Sequence, residues 1–550
     1  MGGDAGRKGP LGQMAFREKG DKAAFQVIVL GATGGPREDS VTGLLVRSTS
    51  TKWSGSSVVA VDAGTLLAGI IRTLERHMPD RNEGTSRRDS KPTVMKEGPF
   101  VGLELPNITA QANAAHIFRD IIGAILITHP HLDHVSGLAM NTPLVEAGNG
   151  PKTVAALPSA IAALKNHVFN DITWPNLSDE DGGAGLITYQ RLSEGGNPRF
   201  GRGDSRGYMK ACEGLVTKCL SVSHGRCRQK YHPGTGKHHR SGSAVFTAEP
   251  LLFPGHGSIS VDPPDPSPYS PAIQPLGHAG GSNSKDPAWA PVESSAFFIR
   301  DENTGSEIIV FGDIEPDSVS MEPRNRIVWE TAAPKIASGT LRAIFIECSY
   351  ADAVDDNSLY GHLCPRHLIA ELQTLAGKVS DFQKPSRASV GSKRKRQDSD
   401  SGNEERSPIS PKTKRVGSSG TRKSSIQTRT PPSRRSNRRS GQSNPGDSTG
   451  AEVPDLVHDE QQTPSIPDPL DDGDDGVEAD DPNMQGNILW AESTRLPLTG
   501  LSVYIIHVKD TLTDGPPPGT QILQELRTQG EAAGLGCEFY VPKSGEGVWI

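Results

Sequence analysis

The sequence has few of the residues that build a large compact core. Hydrophobic residues make up 34% of the 550 positions and aromatic residues only 5%, whereas the chain has 61 glycines and 43 prolines. Because these fractions are low for a compact domain, we expect a considerable part of the chain to be loop or disordered. The 6 cysteines show no CxxC spacing, so nothing indicates a disulfide framework, and a reducing compartment is the simpler interpretation.

Long apolar runs and a strong excess of one charge are also missing. No apolar stretch approaches the roughly 20 residues that cross a bilayer, and the opening residues MGGDAGRKGPLGQ lack the apolar segment of a secretory signal. The net charge of −7 does not indicate a nucleic-acid-binding protein. We therefore predict a soluble cytoplasmic protein without a membrane partner, for which nucleic acid is not the expected ligand.

Apolar segments alternate with amphipathic ones along the chain. The predicted strands are 25–31, 42–48, 58–64, 124–128, 215–223, 295–300, 307–312, 341–348, 501–507 and 537–541. The predicted helices are 65–77, 109–122, 158–167, 326–337, 365–377 and 518–532. Helices alternating with apolar strands indicate an α/β architecture whose sheets are covered on their faces.

Polar segments interrupt this pattern. We predict a flexible segment 1–22 and then one domain, 23–550, with loop insertions at 79–98, 226–242 and 255–292 and a long disordered insertion at 379–488. The long insertion cannot bury enough apolar surface to fold. Its basic clusters within 393–439 fit nuclear-import signals, and a solvated linker without a function explains them equally well.

The strongest chemical signal is a short histidine-rich segment. His129, His131, Asp133 and His134 follow directly on the apolar strand AILIT and precede a helix start. Imidazole nitrogens and carboxylate oxygens are ligands of zinc and related divalent ions. The positions of His129 and His131 let them converge on one ion, while Asp133 and His134 reach a neighbouring one. A histidine-rich surface turn is the less favoured alternative.

Six residues cannot complete two metal sites, so further ligands must come from elsewhere. Three other apolar strands end in a suitable donor: His224, Asp313 and His507. Strand ends at one sheet edge lie close together, and α/β proteins place their sites there. Buried structural histidines at 224 and 507, and a strand-end turn residue at 313, are the alternatives.

This set of residues resembles the metallo-β-lactamase superfamily, of which HxHxDH is the signature. The segments FNDITWPN, FGDIEPD, FIECSY and LYGHLCPRHL look like the class II 3′,5′-cyclic-nucleotide phosphodiesterases. The resemblance implies an αββα sandwich of two packed mixed sheets with helices outside. It also implies two divalent ions, most simply zinc, one held by His129, His131 and His224, the other by Asp133, His134 and His507, with Asp313 shared between them.

The resemblance further implies the reaction. A hydroxide held between the ions would open the 3′ phosphoester bond of a cyclic nucleotide, cyclic AMP or cyclic GMP, and release a 5′-nucleoside monophosphate. His362 would give the leaving oxygen its proton, unless it only packs against the following helix. Asp62 is expected to support the metal ligands. An RNA-processing phosphodiesterase of the same fold and a non-catalytic metal-binding scaffold remain alternatives, and the oligomeric state stays open.

Overall fold

The computed structural model describes residues 23–79, 92–145, 150–240, 289–383 and 495–550, all of which belong to one compact unit. The strands are β1 (Phe25–Gly31), β2 (Gly43–Ser48), β3 (Val58–Val61), β4 (Thr93–Val94), β5 (Glu104–Leu105), β6 (Ile122–Leu126), β7 (Lys152–Ala156), β8 (Ile187–Arg191), β9 (Met209–Cys212), β10 (Leu215–Cys227), β11 (Gln229–His232), β12 (Lys237–Arg240), β13 (Ala290–Asp301), β14 (Glu307–Phe311), β15 (Leu341–Glu347), β16 (Ser502–Ile506), β17 (Glu538–Tyr540) and β18 (Glu546–Trp549).

Seven helices lie among them in the described residues. They are α1 (Leu67–His77), α2 (Ala110–His116), α3 (Leu132–Asn141), α4 (Pro158–Ala163), α5 (Asn325–Ala337), α6 (Pro365–Gln383) and α7 (Pro518–Ala532). α2 and α4 each continue into a π-helical turn, at Ile117–Ile121 and Leu164–Val168. No helix of the described segments is long and apolar enough to cross a membrane.

Most strands belong to two seven-stranded mixed sheets. The first has the order β18-β1-β2-β3-β6-β7-β8 and the second the order β17-β16-β15-β14-β13-β10-β9. Each sheet is antiparallel in one half and parallel in the other: β1, β2 and β3 pair antiparallel while β3, β6 and β7 pair parallel. In the second sheet β10, β13 and β14 pair antiparallel, while β14, β15 and β16 pair parallel.

The apolar side chains form three layers. The middle layer lies between the sheets and joins residues such as Val27 and Val59 of the first sheet to Phe297 and Val310 of the second. The outer face of the first sheet packs against α1, whose Ile70 and Leu74 are buried, and the outer face of the second packs against α5 and α6. Every residue of β1 is buried because this strand is covered on both faces. This is the predicted αββα sandwich.

The structure differs from the sequence predictions at the insertions. Residues 226–242 were expected to be loop, but β10 extends to Cys227 and β11 and β12 form a hairpin. This hairpin is partly exposed along its length, so its sequence lacks the apolar alternation that identifies a half-buried strand.

The other insertions begin or end differently from their predicted bounds. The strand β4 lies in 79–98, β13 begins within 255–292, and α6 continues five residues into 379–488. The disorder predicted for 1–22 and for most of 379–488 lies outside the described residues, as do the basic clusters in 393–439.

Candidate metal centre

The predicted ligands meet where strands of both sheets end. From the first sheet, His129 and His131 lie in the turn between β6 and α3, and Asp133 and His134 lie in the first turn of α3. The second sheet contributes three residues: His224 near the end of β10, Asp313 just after β14 and His507 directly after β16. The side chains therefore converge at an edge that the two sheets share, as carboxyl-terminal strand ends of α/β folds do.

One group of donors comprises His129, His131, His224 and Asp313. The ligand atoms of all four lie within 4.8 Å of one another. His129 Nε2 is 3.0 Å from His131 Nδ1 and 3.6 Å from Asp313 Oδ2, and His224 Nε2 is 3.7 Å from the same oxygen. Two nitrogens bound to one tetrahedral zinc at 2.0–2.1 Å are about 3.3 Å apart, so these spacings fit a single ion.

A second group of donors comprises Asp133, His134, His507 and again Asp313. Their ligand atoms also lie within 4.8 Å of one another. His507 Nε2 is 3.2 Å from Asp313 Oδ2 and 3.6 Å from Asp133 Oδ2. His134 Nε2 is 3.2 Å from Asp313 Oδ1. The Asp313 carboxylate thus faces both groups, which is the arrangement of a carboxylate shared by two neighbouring ions.

Three buried polar atoms at this centre show that its residues fit a metal. Within the described residues, His134 Nε2, His507 Nε2 and Asp313 Oδ1 have no hydrogen bond of acceptable geometry, although each imidazole nitrogen lies 3.2 Å from an Asp313 oxygen. All three side chains are almost completely inaccessible to solvent. A buried polar group without a partner costs about 1–3 kcal/mol. Coordination of divalent ions would satisfy these three atoms together.

Burial also prepares some of the imidazoles for metal binding. Burial lowers the pKa of His129 well below its usual value. Burial is also the main reason why the pKa of His224 is lowered to about 3. A metal needs the neutral ring, so both are in the ligand form at neutral pH. Burial would likewise lower the pKa of His134, but the carboxylates of Asp313 and Asp62 raise it well above its usual value. A metal at His134 therefore displaces a proton.

Hydrogen bonds fix the second ring nitrogen of several ligands. His134 Nδ1 lies 2.7 Å from Asp62 Oδ2, His507 Nδ1 lies 2.7 Å from the Thr42 hydroxyl, and His224 Nδ1 lies 2.8 Å from the Gly361 carbonyl oxygen. Such partners orient a ligating ring and leave its other nitrogen for the ion. The supporting role expected for Asp62 agrees with this contact.

Asp62 is itself held firmly. Its carboxylate accepts hydrogen bonds from the backbone N–H and the hydroxyl of Thr128, which directly precedes His129. Both Asp62 and His507 have positive φ angles, 56° and 58°, a conformation that costs a residue other than glycine about 1–3 kcal/mol. The chain accepts this strain at two strand ends, and both residues face the metal centre.

A glycine permits the close approach of the first sheet to His507. A Cβ atom at Gly34 would lie 2.6 Å from His507 Nε2, which is closer than any side chain tolerates. The segment GATGG after β1 therefore forms one side of the metal centre.

His362 lies beside the first donor group and is paired with a carboxylate. It is located between β15 and α6, its Nδ1 is 3.0 Å from both oxygens of Glu347, and its ring centroid is 4.7 Å from that of His224. Burial would lower the pKa of His362, but the Glu347 carboxylate outweighs it and the pKa is raised. Glu347 also accepts hydrogen bonds from the Ile314 N–H and the Ser349 hydroxyl, so the pair is fixed.

The structure thus brings together every site residue predicted from the sequence. Sequence reasoning missed Glu347, Thr42 and the Gly361 carbonyl. For Glu347 a signal was present, because an acidic residue ends the otherwise apolar strand LRAIFIE.

Comparisons with known proteins identify similar sequences and a similar fold. A family model described as class II cAMP phosphodiesterases matches residues 85–193 and 259–388. A 3′,5′-cyclic-nucleotide phosphodiesterase of Schizosaccharomyces pombe is 27% identical over 361 residues, 65% of this chain and 77% of that protein. The chain is thus similar to the class II cyclic-nucleotide phosphodiesterases over a considerable part of its length. The 3′,5′-cyclic-nucleotide phosphodiesterase 1 of Saccharomyces cerevisiae is 25% identical over 381 residues, 64% of this chain and 82% of that protein.

The fold of this chain matches a solved structure as well. The crystal structure of unliganded yeast PDE1 superimposes with a TM-score of 0.54, at 19% sequence identity, over 96% of this chain and 100% of that chain. This likeness concerns the fold alone. The metallo-β-lactamase-like sandwich predicted from the sequence is confirmed.

Proposed function

We propose that this chain hydrolyses the 3′ phosphoester bond of 3′,5′-cyclic nucleotides, cyclic AMP first and cyclic GMP second, to 5′-nucleoside monophosphates. The observation that supports this most directly is the pair of donor groups that share Asp313. Two-ion centres of this kind suit the in-line displacement at phosphorus. The names of the relatives, cyclic-nucleotide phosphodiesterases from fungi and bacteria, select the substrate.

The cofactor we propose is a pair of zinc ions. His129, His131 and His224 would hold one ion, Asp133, His134 and His507 the other, and Asp313 both. Nitrogen and oxygen donors of this mixture suit zinc, although other divalent ions accept them too. When bound, the ions supply a nucleophile available near neutral pH and stabilise the negative charge on the phosphoryl oxygens.

The role we assign to His362 follows from its contact with Glu347. Because Nδ1 is 3.0 Å from the Glu347 carboxylate, its N–H donates a hydrogen bond to Glu347, and the opposite nitrogen, Nε2, with the other proton of the charged ring, remains for the substrate. When the bond between phosphorus and the 3′ oxygen breaks, His362 gives a proton to that oxygen. General acid catalysis of this kind contributes about 10²- to 10⁴-fold.

Hydrolysis of cyclic AMP and cyclic GMP by the purified protein tests the proposal. We expect release of AMP or GMP, about two metal ions per chain by elemental analysis, and loss of activity on chelation. Replacing the shared ligand, Asp313→Ala, is expected to abolish turnover. As a matched control, Asp301→Ala removes a fully buried carboxylate of the same sheet at the edge remote from the metal centre.

The outcome that would refute the proposal is a folded, metal-loaded protein that leaves both nucleotides intact. Structured RNA with a 3′ extension would then be the next substrate to assay, because RNA processing was the alternative for this fold. A folded, metal-loaded protein that leaves the nucleotides and the RNA intact would instead favour the non-catalytic metal-binding scaffold.

A further inference from the structure

An exposed tyrosine borders the candidate metal centre and has no role in the chemistry described above. Tyr360 is 75% exposed, although aromatic side chains bury most of their surface when packing is their purpose. It lies two residues before His362. Leu132, between His131 and Asp133, is 73% exposed as well, but its side chain has no aromatic ring.

The backbone holds Tyr360 in an unusual conformation. Tyr360 and Gly361 have φ angles of 51° and 84°, and the His362 N–H donates to the Leu359 carbonyl, 3.0 Å away. Two positive φ angles inside such a hydrogen bond are the pattern of a type I′ turn, whose first central position favours asparagine, aspartate or glycine. A bulky aromatic residue there is an outlier, and such outliers concentrate at ligand-binding sites.

The turn is also locked against the metal ligands. The Gly361 carbonyl oxygen lies 2.8 Å from His224 Nδ1, and a Cβ at Gly361 would lie 2.4 Å from the Gly225 nitrogen. The ring of Tyr350 lies edge-on to His362 with centroids 6.1 Å apart. Burial is the largest cause that raises the pKa of the Tyr350 hydroxyl, and Glu347 and Tyr360 raise it further. Tyr360 is thus presented on a rigid support rather than on a free loop.

We propose that Tyr360 stacks on the nucleobase of the substrate and so determines affinity for cyclic nucleotides over base-free cyclic phosphates. This inference rests on the proposed function. If His362 protonates the 3′ oxygen, the ribose lies against His362, and the base, on the far side of the sugar from phosphorus, extends toward solvent past the same turn. Stacking accepts any base because every base has a π face, so adenine and guanine would both be held.

The test compares cyclic AMP with ribose 3′,5′-cyclic phosphate lacking a base, using the metal-loaded full chain. Asparagine suits the left-handed turn, so Tyr360→Asn removes the ring and keeps the backbone. We expect this variant to raise KM for cyclic AMP about 10-fold, with kcat and the kinetics of the base-free substrate within about twofold of the wild type. Tyr360→Phe keeps the ring and is expected to behave as the wild type.

Phe382→Ala is the matched control, because Phe382 is 61% exposed but lies at the far end of α6. An unchanged KM for cyclic AMP in Tyr360→Asn would overturn the inference and leave the proposed function intact. An equal loss of activity on cyclic AMP and on the base-free substrate would also overturn it, because Tyr360 would then act only by maintaining the conformation of the turn. A wild-type protein inactive on cyclic AMP would overturn the function and this inference together.

Discussion

Strand β14 has a buried carboxylate near each end, and the two have opposite surroundings. Glu307, its first residue, is 0% exposed and receives hydrogen bonds of 2.8 Å each from the Tyr208 hydroxyl, Arg300 Nη1 and Lys335 Nζ. Asp313, just beyond its last residue, is 2% exposed and is surrounded by imidazoles, while its Oδ1 makes no hydrogen bond to a described residue.

The difference separates a structural carboxylate from a functional one. The chain itself supplies the cations and hydroxyl that stabilise Glu307, so this end of the sheet is complete as it folds. At the Asp313 end burial lowers the pKa of His129, His224 and His507, so these rings supply no positive charge. Among the rings around Asp313, those with a raised pKa are His134 and His362. One strand thus joins a site for stability to a site for chemistry, and substitutions at its two ends should have separable effects.

The largest effect is expected at Asp313. Asp313→Asn keeps the shape but removes the charge shared by both donor groups, and we expect kcat/KM to fall at least about 10³-fold. The Lewis-acid contribution of such ions is several kcal/mol, and each 1.36 kcal/mol is tenfold in rate. Metal content by elemental analysis should fall together with activity. A variant that binds two ions and retains a tenth of the activity would show that Asp313 is not the shared ligand.

A smaller loss of activity is expected at His362, which is paired with the buried carboxylate of Glu347. His362→Gln should lower cyclic AMP hydrolysis about 10²- to 10³-fold. Cleavage of bis(p-nitrophenyl) phosphate should stay within a few-fold, because p-nitrophenolate leaves without a proton. Glu347→Gln should show the same selectivity with a smaller loss. Equal losses on both phosphodiesters would assign the pair to metal binding or folding.

At the opposite end of β14, the expected change is in stability. Glu307→Gln leaves Arg300 and Lys335 without their buried counter-ion, and we expect the free energy of unfolding to fall by about 3 kcal/mol. Urea unfolding followed by circular dichroism measures it, and kcat/KM of the folded variant should remain within about threefold. Tyr208→Phe, which removes one neutral donor from the same carboxylate, should cost about 1 kcal/mol. A large loss of activity in Glu307→Gln would contradict the view that Glu307 serves stability and Asp313 serves activity.

The smallest effect is expected at Asp62, which contacts a ligand rather than an ion. Asp62→Asn weakens the support of His134 Nδ1, so we expect the affinity for zinc at that group to fall about 10- to 100-fold. Competition with a chromophoric chelator measures this change. Activity should return when excess metal is added, whereas in Asp313→Asn it should not. Unchanged affinity would mean that Thr128 and the helix α3 suffice to orient the ring.

Most of the metal centre could be predicted from the sequence because its donors follow apolar strands. The cluster from His129 to His134 is local, and His224, Asp313 and His507 each end a strand that is recognisable by composition. The assignment of ligands to ions came from the family resemblance, and the structure places the same residues in two groups. Their binding of metal stays a prediction.

What the sequence did not reveal depends on contacts between distant segments. β18 is four residues long and is a strand only because it pairs with β1. The contact between Thr42 and His507 joins residues that no local pattern relates. The turn at Tyr360 contains a residue that its φ angle disfavours, so turn propensity argued against it. In each case tertiary contacts decide a conformation that the local sequence leaves open.

The segment 495–550 contributes to both sheets, with β16 and β17 in the second and β18 beside β1 in the first, and it contains His507. During synthesis a ribosome that has reached residue 494 has made every other donor, but it has made neither His507 nor β18, the second partner of β1. The nascent chain can therefore complete at most one of the two donor groups. The second group is completed only with the segment that also completes both sheets, which ties the assembly of the candidate centre to the last step of folding.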